Sequence, residues 1–240
     1  MAADAVPWHA FRRALREAVG MPALVLGASM MGFGSLARES GIDVWVTVIA
    51  TVGIWGLPGQ MVMVEMMAAG APLFAIGLGV GVANARFLPM TLAIAPYLSD
   101  WRAGVLRRLA FAQFVTLTPW VAALKWFPDM PKPERLPYYM GYTSACLASA
   151  VLGTILGHVL AGELPPPLVV SLVFLSPAFF FMVFVDVRHR HGIVALLLGA
   201  GLGPMLHTLS PDWGLPATGL IAGTAGFAID AVLRRREAAS

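Results

Sequence analysis

The feature that most constrains this chain is its succession of long apolar runs with almost no charge inside them. A bilayer core of about 30 Å is crossed by about 20 apolar residues in a helix. Such runs recur along the whole sequence, with Gly and Ala throughout. Only 12% of the 240 residues are charged and 58% are hydrophobic, whereas soluble domains carry roughly 25% charged residues. The mean hydropathy is +0.77. A soluble domain with this composition lacks the polar surface to cover its core. A cytosolic enzyme, a nucleic-acid binder and a disordered chain are therefore excluded. Apolar and polar residues do not alternate, so an outer-membrane barrel is excluded too. The expected fold is an all-α integral membrane protein, a polytopic bundle of seven to eight transmembrane helices in one transporter domain.

The runs place helices at 19–37, 42–69, 72–98, 105–127, 138–160, 168–185, 193–209 and 215–233. Gly56-Leu57-Pro58-Gly59-Gln60 interrupts the second of these. Arg12, Arg13 and Arg16 precede the first, which reads as a full span rather than a cleaved signal peptide. Basic residues flank apolar runs, as the positive-inside rule expects. Eight crossings put the N-terminal arginines, Arg188 with Arg190, and Arg234-Arg235-Arg236 on one side, with both termini cytoplasmic in a bacterial inner membrane. Arg102, Arg107 and Arg108 then face outward. Either the rule fails there, or 42–98 does not cross as two plain helices. A broken helix is tolerated where it is buried in protein or lines a wet cavity. Cys146, the one cysteine, cannot form an internal disulfide. Ala69-Gly70-Ala71-Pro72-Leu73 and Pro165-Pro166-Pro167-Leu168 each join an apolar helix to the next through a proline-led start. Transporters are often built from two such repeats.

Polar groups inside apolar runs are the candidate functional residues. Glu65 lies five residues after the Pro58-Gly59-Gln60 break; Asn84 and Arg86 lie in the next run. Glu65 and Arg86 carry opposite charges, so they either pair to fix helix packing or line a transport path. Proline removes a donor and glycine permits unwinding. Pro58, Gly59 and Gln60 thus make either a plain kink or a broken helix whose free backbone groups hold a substrate. Thr116, Thr118 and Pro119 form a second polar kink, where threonines back-bonding to helix carbonyls is the plainer reading. Gly153, Gly157 and Ala161, spaced by four, read as a close-packing face, with His158 as a satisfied packing histidine. No catalytic constellation, metal-ligand spacing or Walker motif is present, so neither enzyme activity nor a cofactor is expected. Gly27-Ala28-Ser29-Met30 is not a Gly-x-Ser-Gly protease pattern, and His189 with His191 flank a basic loop.

Taken in order, the Gly-rich break with Gln60, Ala68-Ala69-Gly70-Ala71-Pro72-Leu73, Asn84-Ala85-Arg86-Phe87-Leu88, Leu152-Gly153-Thr154-Ile155-Leu156-Gly157 and Ser176-Pro177-Ala178-Phe179-Phe180 resemble the AzlC family. That family supplies the large subunit of branched-chain amino-acid exporters. The similarity runs from about residue 11 to 233. It implies secondary export of small neutral amino acids, working with a small membrane subunit of the AzlD type. The sequence departs from the family pattern in three places. Leu57-Pro58-Gly59-Gln60-Met61 replaces a usual Gly-Ala-Ser-Gln-Phe run and keeps only the glutamine. Thr116-Leu117-Thr118 stands where a Thr-Asp-Glu run is usual, without either carboxylate. An acidic residue usual near the start of the sixth segment is also missing.

The resulting expectation is an amino-acid permease working by alternating access around the broken helix. Pro58, Gly59 and Gln60 bind substrate polar groups, Asn84 assists, and Arg86 pairs with Glu65 or the substrate carboxylate. Thr116 and Thr118 complete the site, and Met61, Met63, Met66 and Met67 supply an adaptable apolar wall. The rivals are a non-transporting membrane scaffold or regulatory subunit and a passive channel for a small solute.

Overall fold

The computed structural model describes residues 7–98, 104–185, 190–209, 218–219 and 221–229. No strand occurs among them. The chain divides into two compact units, 1–177 and 178–240.

In the first unit, three helices form a close-packed frame. Helix α1 (Trp8–Ala18) is amphipathic: Ala10, Ala14 and Ala18, four apart, are all buried, while Arg12, Arg13 and Arg16 face outward. Helix α2 (Met21–Glu39) starts with Pro22 in its first turn, where a missing amide costs nothing. It stops at Gly41, whose φ of +76° lets the Ile42 amide return to the Ala37 carbonyl. This is a glycine-led helix stop. The third member, Lys132–Val159 (α9 in chain order), runs parallel to α2. The register holds at Ser149 beside Ala23, Gly153 beside Gly27 and Gly157 beside Met31.

That register explains the glycines. A Cβ on Gly153 would strike the Gly27 carbonyl, one on Gly157 the Met31 carbonyl, and one on Gly34 the Thr154 carbonyl. The backbones touch as in small-residue packing between membrane helices. Three side chains tie the two helices and their ends together through backbone carbonyls. The Ser149 hydroxyl donates to the Ala23 carbonyl at 2.6 Å. Arg38 caps the end of α9 through the His158 and Val159 carbonyls, at 2.8 and 3.2 Å. His158 meets the Ile42 carbonyl at 2.9 Å, so it is the satisfied packing histidine expected.

Between α2 and α9 the chain forms three pairs of half-helices. They are α3 (Val44–Gly53) with α4 (Leu57–Ala68), α5 (Leu73–Ala83) with α6 (Phe87–Ile94), and α7 (Val105–Gln113) with α8 (Leu117–Trp126). A 3₁₀ turn, Ala95–Tyr97, extends α6. Arg135 fastens that end by donating to the Tyr97 carbonyl at 3.0 Å. At 1.5 Å per residue each half is about 12–18 Å long, near half a bilayer core. Helix α10 (Pro166–Val185) follows.

Three expected boundaries are corrected. The first break falls at 54–56, because Pro58 and Gly59 sit within the opening turn of α4 rather than in the gap. The 72–98 run is broken at 84–86 and the 105–127 run at 114–116. The helix expected at 138–160 starts at Lys132, with Pro131 and Pro133 at its N-terminal end.

Among the described residues, α9 alone is long and apolar enough to cross a membrane; two bent pairs, α1 with α2 at 58° and α5 with the α6 stretch at 48°, raise the number to three. The all-helical character expected holds among the described residues, and the breaks cut the 42–69, 72–98 and 105–127 runs into shorter helices. The Ala69–Leu73 and 161–168 connections share one local design. Gly70 and Gly162 both have positive φ, and each is followed by a proline that leads into the next helix.

In the second unit, α11 (Arg190–Leu209) places Gly199 near Ala222 and Gly203 near Thr218. The expected 215–233 helix is described only at 218–219 and 221–229. His189, Arg188, Arg102 and the arginines at 234–236 lie outside the described residues.

Candidate functional site at the three helix breaks

The three breaks meet. Asn84, at the α5–α6 break, lies against Gly56 and Gly59, so closely that a Cβ on either glycine would collide with its carboxamide. Its Nδ2 donates to the Ile54 carbonyl at 3.4 Å. Gln113, at the end of α7, donates from Nε2 to the Gly53 and Val52 carbonyls at 2.6 and 3.1 Å. Trp55 and Phe114 stack edge-to-face across the same gap, with centroids 6.4 Å apart. The Phe114 carbonyl accepts from the Tyr139 hydroxyl of α9 at 3.2 Å.

A helix end leaves carbonyls without partners and a helix start leaves amides without partners. Here the carbonyl ends are served by Gln113, Asn84 and Tyr139. At the amide ends the N-cap residues supply no cap of their own. Neither Gly56 before α4 nor Thr116 before α8 makes a side-chain cap. Thr116 is a residue type that normally caps. Its hydroxyl is instead buried and without a partner. Gln60 is wholly buried, and both its Oε1 and Nε2 lack hydrogen bonds; Asn84 Oδ1 and Ser29 Oγ share that condition. Each such group costs about 1–3 kcal/mol. A fold keeps costs of this kind at sites that something else completes.

Trp55 adds a further cost. It is 7% exposed and has a φ of +47°, a left-handed conformation that bulky residues rarely adopt. Strain of this sort, of order 1–3 kcal/mol, gathers at functional sites. Its ring is held by Phe114 and belongs to a core that includes Met90, Ile94, Val115 and Tyr139.

The expected site residues separate on this frame. Gly59, Gln60, Asn84 and Thr116 are brought to the junction, and Thr118 is buried in the first turn of α8. Pro58 is exposed; its part is to start α4, and the buried contacts come from its neighbours. Glu65 is exposed. It lies five residues beyond Gln60, a rotation of about 140° around the helix, which turns it off the buried Gly59-Gln60-Met63-Val64 face. Arg86 is also exposed, its guanidinium 5.5 Å from the Phe87 ring centroid. Among the described residues no ion pair joins Glu65 to Arg86. Of the methionines, Met63 is buried, Met61 and Met66 are half-buried, and Met67 is exposed. The expected wall is therefore partial.

Trp55, Gln113 and Tyr139 were not legible as site residues. Gln113 carried a weak signal as a polar residue three positions before Thr116; the other two read as ordinary apolar and aromatic packing.

Three adjoining broken helices with unpaired polar atoms at their junction are a feature found at the binding sites of membrane transporters. A sequence profile described as AzlC protein matches residues 22–164, more than half of the chain. The protein belongs to the AzlC family. The family is membrane-associated, is linked to branched-chain amino-acid transport, and commonly works with a partner subunit. No curated protein and no solved structure matches this chain.

Proposed function

We propose that this protein is a secondary transporter that exports small neutral amino acids, branched-chain ones among them, across the bacterial inner membrane. It does so as the large subunit of a two-component exporter, beside a small subunit of the AzlD type, with both termini cytoplasmic. The observation that carries the reading is the junction of three helix breaks with unpartnered polar atoms of Gln60, Asn84 and Thr116. The uncapped starts of α4 and α8 carry partial positive charge and free amides, which suit a carboxylate. The Gln60, Asn84 and Thr116 oxygens suit an ammonium group. Trp55, Val115 and Met90 supply apolar surface for an aliphatic side chain. Gln60 is closed to solvent, so entry requires the half-helices to part, which is the movement alternating access needs.

The test is efflux of preloaded valine, leucine, isoleucine and methionine from cells expressing the chain with its small partner, with and without an uncoupler. Saturable, uncoupler-sensitive efflux that Gln60→Leu abolishes is the expected result. Flux that does not saturate would make the protein a channel. Unchanged efflux in Gln60→Leu would remove the junction as the binding site.

A further inference from the structure

Helix α1 has a face that transport does not use. Its alanines turn inward, and Trp8, His9, Arg12, Arg13, Arg16 and Glu17 line an open groove of about 520 Å³. Not every charge there is available. Arg13 Nε is held by Glu17 at 2.8 Å, Glu17 also accepts from the Tyr138 hydroxyl at 2.5 Å, and His9 faces Glu134 at 3.3 Å. The nearby acidic groups are thus occupied. Arg12 and Arg16 have no ion pair or hydrogen bond among the described residues. They are four apart, so they stand side by side on one helix face, an arrangement that repels unless an anion lies between them. Two guanidinium forks lining one groove suit phosphate oxygens.

The surroundings distinguish a lipid from a free anion. Trp8 is 62% exposed, and just past Arg16 the apolar Val19, Met21 and Leu24 are 68%, 64% and 66% exposed. Helix α1 leans 58° from α2, so a membrane-crossing α2 tilts α1 toward the bilayer surface. Trp126 adds an indole flanked by cations, with Arg13 at 6.0 Å and Lys125 at 4.9 Å from its ring. Indole rings beside basic side chains are the usual furniture of the headgroup level. Free phosphate would need no apolar strip beside its cations. We infer that the Arg12–Arg16 groove of α1 binds the phosphate headgroup of an anionic membrane lipid whose acyl chains run along Val19, Met21 and Leu24.

The experiment follows thermal unfolding of the delipidated, detergent-purified full chain. Dioleoylphosphatidylglycerol, dioleoylphosphatidylcholine and inorganic phosphate are titrated separately. The anionic lipid should raise the unfolding temperature saturably, with neither of the other two doing so. Its apparent affinity should fall about fivefold in Arg12→Gln and about 25-fold in Arg12→Gln/Arg16→Gln, following the interaction of each basic side chain with anionic lipid. Both side chains are exposed, so folding should survive, and the single variant gives a reading if the double one does not. Equal shifts from both lipids would reduce the groove to a greasy surface, and an equal shift from inorganic phosphate would make it a free-anion site. Unchanged affinity in the variants would place the lipid elsewhere.

Discussion

The α2–α9 seam and the junction of broken helices lie in the same unit and use similar residues, yet they solve opposite problems. In the seam, glycines bring two backbones into contact, and Ser149, Arg38 and His158 find carbonyl partners. Where α3 packs on α9, the Thr51 and Thr154 hydroxyls likewise meet, at 3.0 Å. At the junction, glycines make room for the Asn84 carboxamide, and polar atoms are left unpaired. The seam holds the protein together. The junction retains unfavourable terms that a bound substrate could offset. The same residue type is structural in one place and site-forming in the other, depending on whether a backbone or a polar side chain fills the space it leaves.

The sharpest way to break this contrast is Gly157→Val. Its new side chain would meet the Met31 backbone, which cannot swing aside as a side chain can. We expect a loss of about 3 kcal/mol or more, measured as a lower unfolding temperature and poor recovery from the membrane. A tolerated valine would mean that the two helices are not so tightly apposed.

Gln60→Leu should do the reverse. It removes two buried polar atoms without partners, so stability should rise by about 1–3 kcal/mol while efflux is lost. A fall in stability would reveal a hidden hydrogen-bond partner and undo the account of the junction.

Smaller effects follow from the groups that serve the carbonyl ends. Tyr139→Phe removes the donor to Phe114, and about 1 kcal/mol of stability should go with it. Gln113→Leu should cost a similar amount, and the loss should be less than additive when Asn84→Leu is combined with it, since both serve the end of α3. A double-mutant cycle measures that coupling; full additivity would separate the breaks energetically.

The smallest effect concerns α1, outside the apolar runs. Burial opposes ionisation of Glu17, but hydrogen bonds from Tyr138 and Arg13 outweigh it and hold the carboxyl below its ordinary value. A depressed carboxylate contributes stability above its unfolded pKa and loses it as pH falls through the folded one. The gap in unfolding temperature between the natural protein and Glu17→Gln should therefore be widest near neutral pH and close on acidification. A gap independent of pH would assign the effect to packing.

Parts of this design could be read directly from the residues. Gly153 and Gly157 declared a close helix face by their spacing alone. Gln60, Asn84 and Thr116 stood out because polar side chains are expensive in apolar runs. The Glu65–Arg86 pairing could not be judged in this way. Charge shows which groups could attract one another, but helical phase and exposure decide whether they face. Trp55 was illegible for a different reason: the groups its ring packs against, Phe114 and the core of Met90 and Ile94, lie far away in sequence.

What the sequence determined by itself is the solvent and the material: an all-helical chain for a membrane, with polar residues at a few interior points. Those follow from local properties, namely composition, periodicity and the conformational limits of proline and glycine. What only the tertiary structure decided is which breaks adjoin and which polar atoms go unpaired. A hydrogen bond is satisfied or lost according to what packs beside it. For Gln60, Asn84 and Thr116 those neighbours come from helices dozens of residues apart.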